Sequence, residues 1–161
     1  MKPWGRSTIS TRRAEVSDCG VLAEIHASAF KRGWSDAEFE ALLLQPNVHA
    51  LLAHYRNALG RRIPAGFILH RQAADEAEIL SVAVIPSCRR RGIGKALIEE
   101  VLRHLYREGA RAIHLEVEDS NTAAIGLYRG VEFRESGRRA GYYVQGRGTA
   151  AGALLMLRQL R

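Results

Sequence analysis

Residues 82–97 combine a strand, a glycine-rich turn and the start of a helix in a way that could bind a phosphorylated ligand. The turn contains these cationic residues and glycines: Arg89, Arg90, Arg91, Gly92, Gly94 and Lys95. Glycine lets the backbone approach a ligand closely, and the first turn of a helix offers unpaired N–H groups and the positive end of the helix dipole. An ordinary tight turn would explain the glycines but not three consecutive arginines. We therefore predict that this turn binds a pyrophosphate group.

The spacing of the glycines excludes two common phosphate-binding loops. The Walker A pattern Gly-x-x-x-x-Gly-Lys-Ser/Thr is absent from the sequence. The dinucleotide fingerprint Gly-x-Gly-x-x-Gly in a first strand–helix–strand unit is absent as well. The ligand is therefore expected to be another kind of pyrophosphate compound.

A carboxylate that could accept a proton lies in the strand predicted over residues 112–117. Alternation along this strand places the apolar residues on one face and His114, Glu116 and Glu118 on the other. A carboxylate is a candidate general base where its surroundings raise its pKa, so Glu116 is a candidate for this role. The alternative is a glutamate near a strand end that simply reaches water.

A phenol that could donate a proton follows in the next predicted helix, over residues 120–129. Tyr128 lies at the end of this helix, and a tyrosine hydroxyl can act as a general acid. A tyrosine beside Leu127 is, by residue type alone, more typical of a packed core aromatic. Both interpretations stay open at this point.

The elements that must position these residues can be recognised from periodicity and from turn and capping signals. The first is a strand over residues 8–14, followed by a helix capped by Ser17 or Asp18 with Val21, Leu22, Ile25 and Ala29 on one face, and by a short helix with a Ser35–Glu38 capping box and Trp34 packed on Phe39. A hairpin over residues 49–55 and 65–70 and a strand over residues 79–85 come next. The remaining elements are a helix over residues 94–108, a strand over residues 112–117, a short helix over residues 120–129, and a closing hairpin over residues 142–144 and 153–157. This order predicts an α/β fold around a mixed sheet.

Composition limits the classes of protein to be considered. The chain of 161 residues suits one domain, and no apolar run approaches the roughly 20 residues that span a bilayer. We expect no secretory signal in the polar, basic N-terminus, and Cys19 and Cys88 give neither a disulfide framework nor a metal-ligand spacing. We therefore predict a protein of the cytoplasm without a metal site.

The net charge of +7 comes almost entirely from arginine. A basic surface attracts polyanions such as a phosphorylated cofactor or nucleic acid. For most of these arginines, a solvated surface that reflects genome composition is an equal alternative. No nucleic-acid-binding motif is present in the sequence, so a nucleic-acid-binding module is only a remote alternative.

Four segments together resemble the GNAT superfamily of N-acetyltransferases. Arg89-x-x-Gly92-x-Gly94 resembles the Arg/Gln-x-x-Gly-x-Gly/Ala signature with which that superfamily holds coenzyme A. Residues 115–128 are similar to the segment Leu-Glu-Val-x-x-x-Asn-x-x-Ala-x-x-Leu-Tyr of one branch, the ribosomal-protein-alanine N-acetyltransferases. Residues 29–39 are similar to its Ala-Phe…Trp-Ser-x-x-x-Phe element, and residues 138–143 to its Arg-Arg-x-Tyr-Tyr element, with one extra residue before the tyrosines. The resemblance spans roughly residues 8–157.

The resemblance implies a single GNAT domain over residues 1–161. In that fold a mixed central sheet is flanked by helices, the strands over residues 79–85 and 112–117 splay apart, and acetyl-CoA binds where they separate. Glu116 then corresponds to the general base and Tyr128 to the general acid toward the CoA thiolate. The implied cofactor-binding residues are Val82, Ala83, Val84, Arg89, Arg90, Arg91, Gly92, Ile93, Gly94, Lys95 and Asn121. Trp34, Tyr142 and Tyr143 correspond to elements near the acceptor.

Three positions depart from the family pattern. Glu132 stands where the family usually has glycine before Phe133, Cys88 stands where an aromatic residue is common, and Gly152 replaces an acidic residue before the last strand. These departures leave the implied acid, base and phosphate loop intact. They weaken the inference about the acceptor.

The resemblance implies transfer of acetyl from acetyl-CoA to a primary amine by direct attack in a ternary complex, with CoA as the second product. The expected acceptor is the N-terminal α-amine of a protein such as a ribosomal protein, and the ribosome is an expected partner. The alternatives are acetylation of a small amine, such as a polyamine, amino acid or antibiotic, and an acyl-CoA sensor without turnover.

Overall fold

The computed structural model describes residues 7–141 and 152–161. Its elements, in chain order, are β1 (Thr8–Arg13), α1 (Cys19–Ala29), α2 (Asp36–Leu43), β2 (Val48–Arg56), β3 (Arg62–Ala73), β4 (Glu76–Val84), α3 (Ile93–Arg107), β5 (Ala112–Glu118), α4 (Thr122–Gly130), β6 (Arg134–Arg139) and β7 (Ala153–Gln159). The strands of the described residues form a mixed sheet in the order β1-β2-β3-β4-β5-β7-β6. The predicted α/β fold with a mixed sheet and flanking helices is confirmed.

Backbone contacts divide the chain into two compact units. The first comprises the described part of Met1–Arg71 with Leu80–Val101, and the second comprises Gln72–Ile79 with the described part of Leu102–Arg161. The single domain expected from the sequence stays a prediction. The parallel ladder between β4 and β5 joins residues 76–78 to residues 112–114, and the separation of these strands beyond the ladder stays a prediction as well.

The core of the first unit forms where the apolar faces of α1 and α2 pack on the sheet. Leu22 and Ile25 of α1 and Phe39 of α2 are buried in one cluster with Leu52 of β2 and Phe67 of β3. The spacing of the apolar residues in α1 predicted this face, because residues three and four apart lie on one side of a helix. Burial of this apolar surface is the main stabilising contribution in this unit.

The start of α1 differs from the expected cap. Asp18 is the residue before the helix, but its side chain makes no capping hydrogen bond to α1. Instead its carboxylate accepts hydrogen bonds from the Arg12 guanidinium at 2.7 and 2.8 Å and from the Glu15 N–H at 2.8 Å. The Arg12 hydrogen bonds lower the pKa of Asp18 to about 2. The carboxylate thus joins β1 to the turn that precedes α1.

The start of α2 has the predicted capping box. The Glu38 N–H donates to the Ser35 hydroxyl at 3.2 Å, and the Ser35 N–H donates to the Glu38 carboxylate at 2.8 Å. Trp34 and Phe39 are in contact, with ring centroids 5.5 Å apart. This pair forms the predicted hydrophobic contact across the start of the helix.

The closing hairpin of the second unit differs in one strand from the prediction. The strand expected over residues 153–157 is β7, and it pairs with β6 and β5 in antiparallel orientation. The other strand expected, residues 142–144, lies outside the described residues, and β6 was missed. Charged and small residues make up most of β6, and most of them are exposed, so the alternation of apolar and polar residues that indicates a strand is absent.

Among residues 7–141 and 152–161, no helix has the length and apolar character needed to cross a membrane.

The close approach of β3 to β4 generates a stability prediction. A Cβ atom at Gly66 would lie 2.8 Å from the Ala83 carbonyl oxygen and 3.2 Å from a methyl group of Ile93. We expect Gly66→Ala to lower the free energy of unfolding by roughly 1–3 kcal/mol, because backbone and core side chains must move. Urea denaturation measures the change.

Gly20→Ala in α1 is the matched control for that substitution. Gly20 is exposed and a Cβ atom there would meet nothing within 4 Å. Alanine should stabilise the helix there by about 0.5–1 kcal/mol. Equal stability changes for the two variants would contradict the packing argument.

Candidate active site

The turn between β4 and α3 has the backbone geometry expected of an anion-binding loop. Gly92 has a φ angle of +81°, and Arg90 has a φ angle of +61°. The Ala96 N–H donates to the Gly92 carbonyl at 3.0 Å, so the helical hydrogen bonding begins at Gly92. The earlier N–H groups of the first helical turn have no partner within the helix and form the positive end of its dipole.

The three arginines of the turn have different surroundings. The Arg91 guanidinium donates to the Tyr55 hydroxyl at 3.1 Å and lies over the Tyr55 ring, 5.1 Å from its centroid. Tyr55 is a buried residue of β2, so this contact anchors the turn to the sheet of the first unit. Arg89 and Arg90 are exposed. Left-handed backbone, a helix start and exposed cations in one turn fit a diphosphate, and the role of the individual residues stays a prediction.

The end of β4 presents the segment that the resemblance assigns to the cofactor arm. Ala83 is buried, whereas Val82 and Val84 are half-buried. Beyond the strand, the Ile85 N–H donates to the Ala65 carbonyl at 2.8 Å and ties the end of β4 to β3. The glycine at position 66 permits this close packing, as described above.

In the second unit, β5 shows the predicted alternation. Ile113 and Leu115 are buried, and His114, Glu116 and Glu118 are exposed. Glu116 therefore stands on the open face of the sheet. Its Oε1 lies 3.4 Å from Nε of Arg139 on β6, two strands away. An exposed carboxylate with one cationic neighbour is accessible to an acceptor.

Tyr128 is placed in the opposite environment. It is buried in α4, and its ring lies 5.9 Å from that of Phe133. Burial raises the pKa of its phenol to about 12. The hydroxyl therefore keeps its proton throughout the neutral range, as a proton donor must.

Asn121 has a structural role that the resemblance did not imply. Its side-chain oxygen accepts a hydrogen bond from the Ala124 N–H at 3.2 Å and caps α4. The cap uses the oxygen and not the amide NH₂ group. A contact of that NH₂ group with a cofactor stays a prediction.

Of the three residues expected near the acceptor, only Trp34 lies among the described residues. Its ring stacks on His26 with centroids 4.6 Å apart, and its backbone N–H donates to Nδ1 of His26 at 3.0 Å. Burial lowers the pKa of His26, which favours the neutral ring that this hydrogen bond requires. Tyr142 and Tyr143 lie outside the described residues.

Two of the departures from the family pattern have physical explanations. Glu132 adopts a φ angle of +69°, a left-handed conformation that favours glycine, and its carboxylate lies 3.2 Å from Nη2 of Arg158. A Cβ atom at Gly152 would lie 2.7 Å from Oδ2 of Asp119. The Asp119 carboxylate thus occupies the space that a side chain at position 152 would need. Cys88 is buried, and nothing in the structure explains why it replaces an aromatic residue.

Sequence reasoning missed Tyr55, His26 and Arg139. Tyr55 and Arg139 each contact a predicted site residue from a strand that is distant in sequence, so no local pattern connects them. His26 had a detectable signal, since Phe30 follows it by one helical turn and stacks on it with centroids 4.3 Å apart. A buried histidine beside aromatic residues is nevertheless common in cores.

The environment of Tyr128 predicts its titration. We expect the phenolate absorbance near 295 nm of the folded chain to include one tyrosine that titrates near pH 12, because burial raises its pKa. The difference between the parent and Tyr128→Phe isolates this tyrosine. Tyr106→Phe is the control, since Tyr106 is exposed on α3. A Tyr128 component centred on pH 10 would contradict the burial of the phenol.

Comparison with known proteins identifies relatives of the chain. The N-alpha-acetyltransferase RimI of Mycobacterium tuberculosis is 34% identical over 137 residues, which cover 81% of this chain and 80% of that protein. The ribosomal protein bS18-alanine N-acetyltransferase of Escherichia coli K12 is 39% identical over 79 residues, 49% of this chain and 53% of that protein. The match therefore spans about half the length of the latter relative.

Solved structures have the same fold. The crystal structure of the ribosomal-protein-S18-alanine N-acetyltransferase from Escherichia coli superposes with a TM-score of 0.79 at 29% identity, over 96% of this chain and 94% of that one. NAA60 of Arabidopsis thaliana in complex with acetyl-CoA superposes with a TM-score of 0.77, over 94% of this chain and 98% of that one, and at 24% identity shows the fold alone. The model of the acetyltransferase (GNAT) family matches residues 20–133. The chain, which has an α/β fold with a glycine-rich turn before α3, therefore belongs to the GNAT family of acetyltransferases.

Proposed function

We propose that the protein transfers the acetyl group of acetyl-CoA to the N-terminal α-amine of a protein and releases CoA. The observation that carries this proposal is the turn into α3, where Gly92 is left-handed and Arg89 and Arg90 are exposed at a helix start. Membership of the GNAT family supports acetyl-CoA as the ligand of this turn.

We propose cofactor-binding residues for each unit separately. In the first unit, the backbone amides of residues 92–95 and the cations of the turn bind the diphosphate, and the backbone of residues 82–84 binds the pantetheine arm. In the second unit, the side chain of Asn121 contacts the cofactor. Bound acetyl-CoA supplies an acyl group activated as a thioester. Backbone N–H groups of β4 that reach the acetyl carbonyl stabilise the negative charge that develops on its oxygen.

Two side chains move the protons. Glu116 accepts the proton that the acceptor amine must lose, and the exposure of its carboxylate gives the acceptor access to it. Tyr128 donates its proton to the departing thiolate. A phenol that stays protonated up to about pH 12 is suited to this donation. In the same step the new C–N bond forms and the C–S bond breaks.

Direct attack of the amine requires no acyl-enzyme. Cys19 is buried, and burial raises the pKa of its thiol. A raised pKa lowers the fraction of nucleophilic thiolate. Cys88 is buried as well. The two cysteines are therefore poorly suited to carry the acetyl group.

The acceptor is assigned from the names of the relatives and from amine chemistry. Relatives are named for acetylation of the alanine N-terminus of ribosomal protein bS18 and for N-alpha-acetylation. An α-amine has a reference pKa of roughly 8, against about 10.4 for lysine, so a carboxylate base deprotonates an α-amine more readily. We place the reaction in the cytoplasm, near the ribosome, where the net charge of +7 would favour approach to ribosomal RNA.

The decisive test is turnover on a panel of acceptors. Purified protein is incubated with acetyl-CoA and either an alanine-initiated peptide, the same peptide with a blocked N-terminus and a free lysine, or small amines such as a polyamine. Free CoA is detected through its thiol. We expect the free α-amine to be acetylated at least tenfold faster than the lysine. Turnover of small amines without peptide turnover would show that the acceptor is a small amine. Absence of CoA binding in calorimetry would refute the enzymatic function.

The roles of the two proton-moving residues give separable kinetic predictions. Tyr128→Phe should lower kcat by about 10²-fold or more and leave the KM for acetyl-CoA nearly unchanged. Glu116→Gln should lower turnover at neutral pH, and higher pH should restore part of it because more of the amine is then neutral. Tyr106→Phe and Glu118→Gln are the matched controls. Unchanged kcat for Tyr128→Phe, or a flat pH response for Glu116→Gln, would remove that residue from the mechanism.

A further inference from the structure

An arginine on the outermost strand of the second unit reaches the proposed base across an intervening strand. Nε of Arg139 lies 3.4 Å from Oε1 of Glu116. Arg139 belongs to β6 and Glu116 to β5, and β7 lies between them. Adjacent strands lie about 4.8 Å apart, so the two side chains together bridge roughly twice that distance.

The register of the three strands explains how the side chain crosses β7. Glu116 is paired with Leu155, which is paired with Gly137, and Glu118 is paired with Ala153, which is paired with Arg139. Paired residues in an antiparallel sheet share a face, so all of these positions lie on the open face. A larger side chain in place of Ala153 would lie in the path of the Arg139 side chain.

A second small residue, Gly137, reduces the side-chain bulk in the neighbouring row of paired residues. A Cβ atom at Gly137 would already lie 3.3 Å from Cδ1 of Leu155, so the leucine leans toward the glycine. The Arg139 side chain therefore crosses β7 between two rows of paired residues. Its nearest neighbours in these rows are alanine, leucine and glycine. The sequence of the sheet edge thus leaves a path from Arg139 to the carboxylate.

The other charges around this pair can be named. On β5, His114 and Glu118 share the open face with Glu116. On β7, the residues beside the pair, Ala153 and Leu155, carry no charge. On β6, Nε of Arg138 lies 2.6 Å from Glu135. Arg138 is paired with Leu154 and Glu135 with Met156, so both lie on the opposite face of the sheet.

Arg134 at the start of β6 is paired with Leu157, beside His114 and away from Glu118. The Asp119 carboxylate lies against Gly152. Among the described residues, Glu116 is thus paired with one arginine of a strand that carries several.

We infer that Arg139 is a positioning residue for amine deprotonation: its guanidinium holds the Glu116 carboxylate and disfavours a charged ammonium beside it. The inference rests on the proposed function, since it assigns the acceptor amine to Glu116. An acceptor that arrives as an ammonium ion meets a cation next to its base, and like charges disfavour the protonated form. The ammonium form of the bound amine is therefore destabilised, which favours the loss of its proton before the attack.

The test compares variants at position 139 over a range of pH. The neutral variant is Arg139→Gln, the charge-retaining variant is Arg139→Lys, and Arg138→Gln on the same strand is the matched control. For each, kcat and the acceptor KM are measured with saturating acetyl-CoA and an alanine-initiated peptide. The low-pH limb of kcat reports ionisation in the ternary complex.

The expected result is a shift of the low-pH midpoint of kcat in a defined direction. Removal of one charge about 4 Å away in water-like surroundings changes an ionisation equilibrium by about fivefold, or roughly 0.7 pH unit. For Arg139→Gln the low-pH limb should therefore move to higher pH by about this amount, and the acceptor KM at neutral pH should fall while kcat falls. Arg139→Lys should restore the parental midpoint, and Arg138→Gln should leave it in place.

A salt titration of the parent protein supplies a second measurement that needs no variant. Both partners are substantially exposed, with 62% of the Arg139 and 42% of the Glu116 side chain accessible, so salt should screen the interaction. The parental midpoint should rise with salt toward the Arg139→Gln value. A change in melting temperature with no shift of midpoint would assign Arg139 a purely structural role.

Failure of this inference and failure of the proposed function give different results. A parent protein that turns over peptide, with coincident midpoints for the parent and Arg139→Gln, overturns the inference alone. A shift that Arg139→Lys fails to reverse overturns the charge argument. A parent protein that turns over no acceptor overturns the proposed function and this inference together.

Discussion

The reversal of direction between β4 and α3 is the constraint on which the rest of the first unit depends. β4 packs closely against β3. The chain then passes through left-handed backbone at Arg90 and Gly92 and enters α3, which has buried residues from its first turn onward. Glycine adopts left-handed backbone without strain at Gly92, and the close strand contact leaves no room for a side chain at Gly66. The result is a helix start with unpaired N–H groups and cations beside it. Tyr55 contacts one of these cations, Arg91.

The second unit places its two reactive groups in contrasting environments. Glu116 lies on the open face of a strand whose other face is buried, and Tyr128 lies in the buried face of the helix that follows. In the proposed reaction, one group exchanges protons with an arriving amine, and the other holds its proton until a thiolate departs. Exposure serves the first task and burial the second, because burial disfavours the phenolate. The same short segment of chain supplies both environments through two periodicities, that of a strand and that of a helix.

The electrostatics of the open face differ from those of the whole chain. A net charge of +7 would repel a cationic acceptor at long range, but screening limits such effects to about 10 Å at ordinary ionic strength. At the carboxylate itself, the relevant charges are those of its immediate neighbours on β5 and β6. In the proposed role of Arg139, its positive charge beside Glu116 disfavours the ammonium form of the bound amine.

The sequence alone determined most of the elements, the resemblance to the family, and the residue types of the candidate site. Periodicity placed α1, α3 and β5, and the capping box placed α2, because these signals depend on residues within one or two turns of each other. Local signals failed for β6, whose charged residues lack alternation, and for Asp18, whose carboxylate binds a guanidinium of β1 instead of capping α1. At Glu132, where the family usually has glycine, the backbone keeps the left-handed conformation typical of glycine.

Only the tertiary structure decided which partners the site residues have. Arg91 lies over Tyr55, Trp34 stacks on His26, and Arg139 reaches Glu116 across β7. The first and third contacts join residues far apart in the chain through sheet register. A shift of register by one residue would move every side chain to the other face. Sequence therefore specified the chemical groups, and the pairing of strands specified which of them meet.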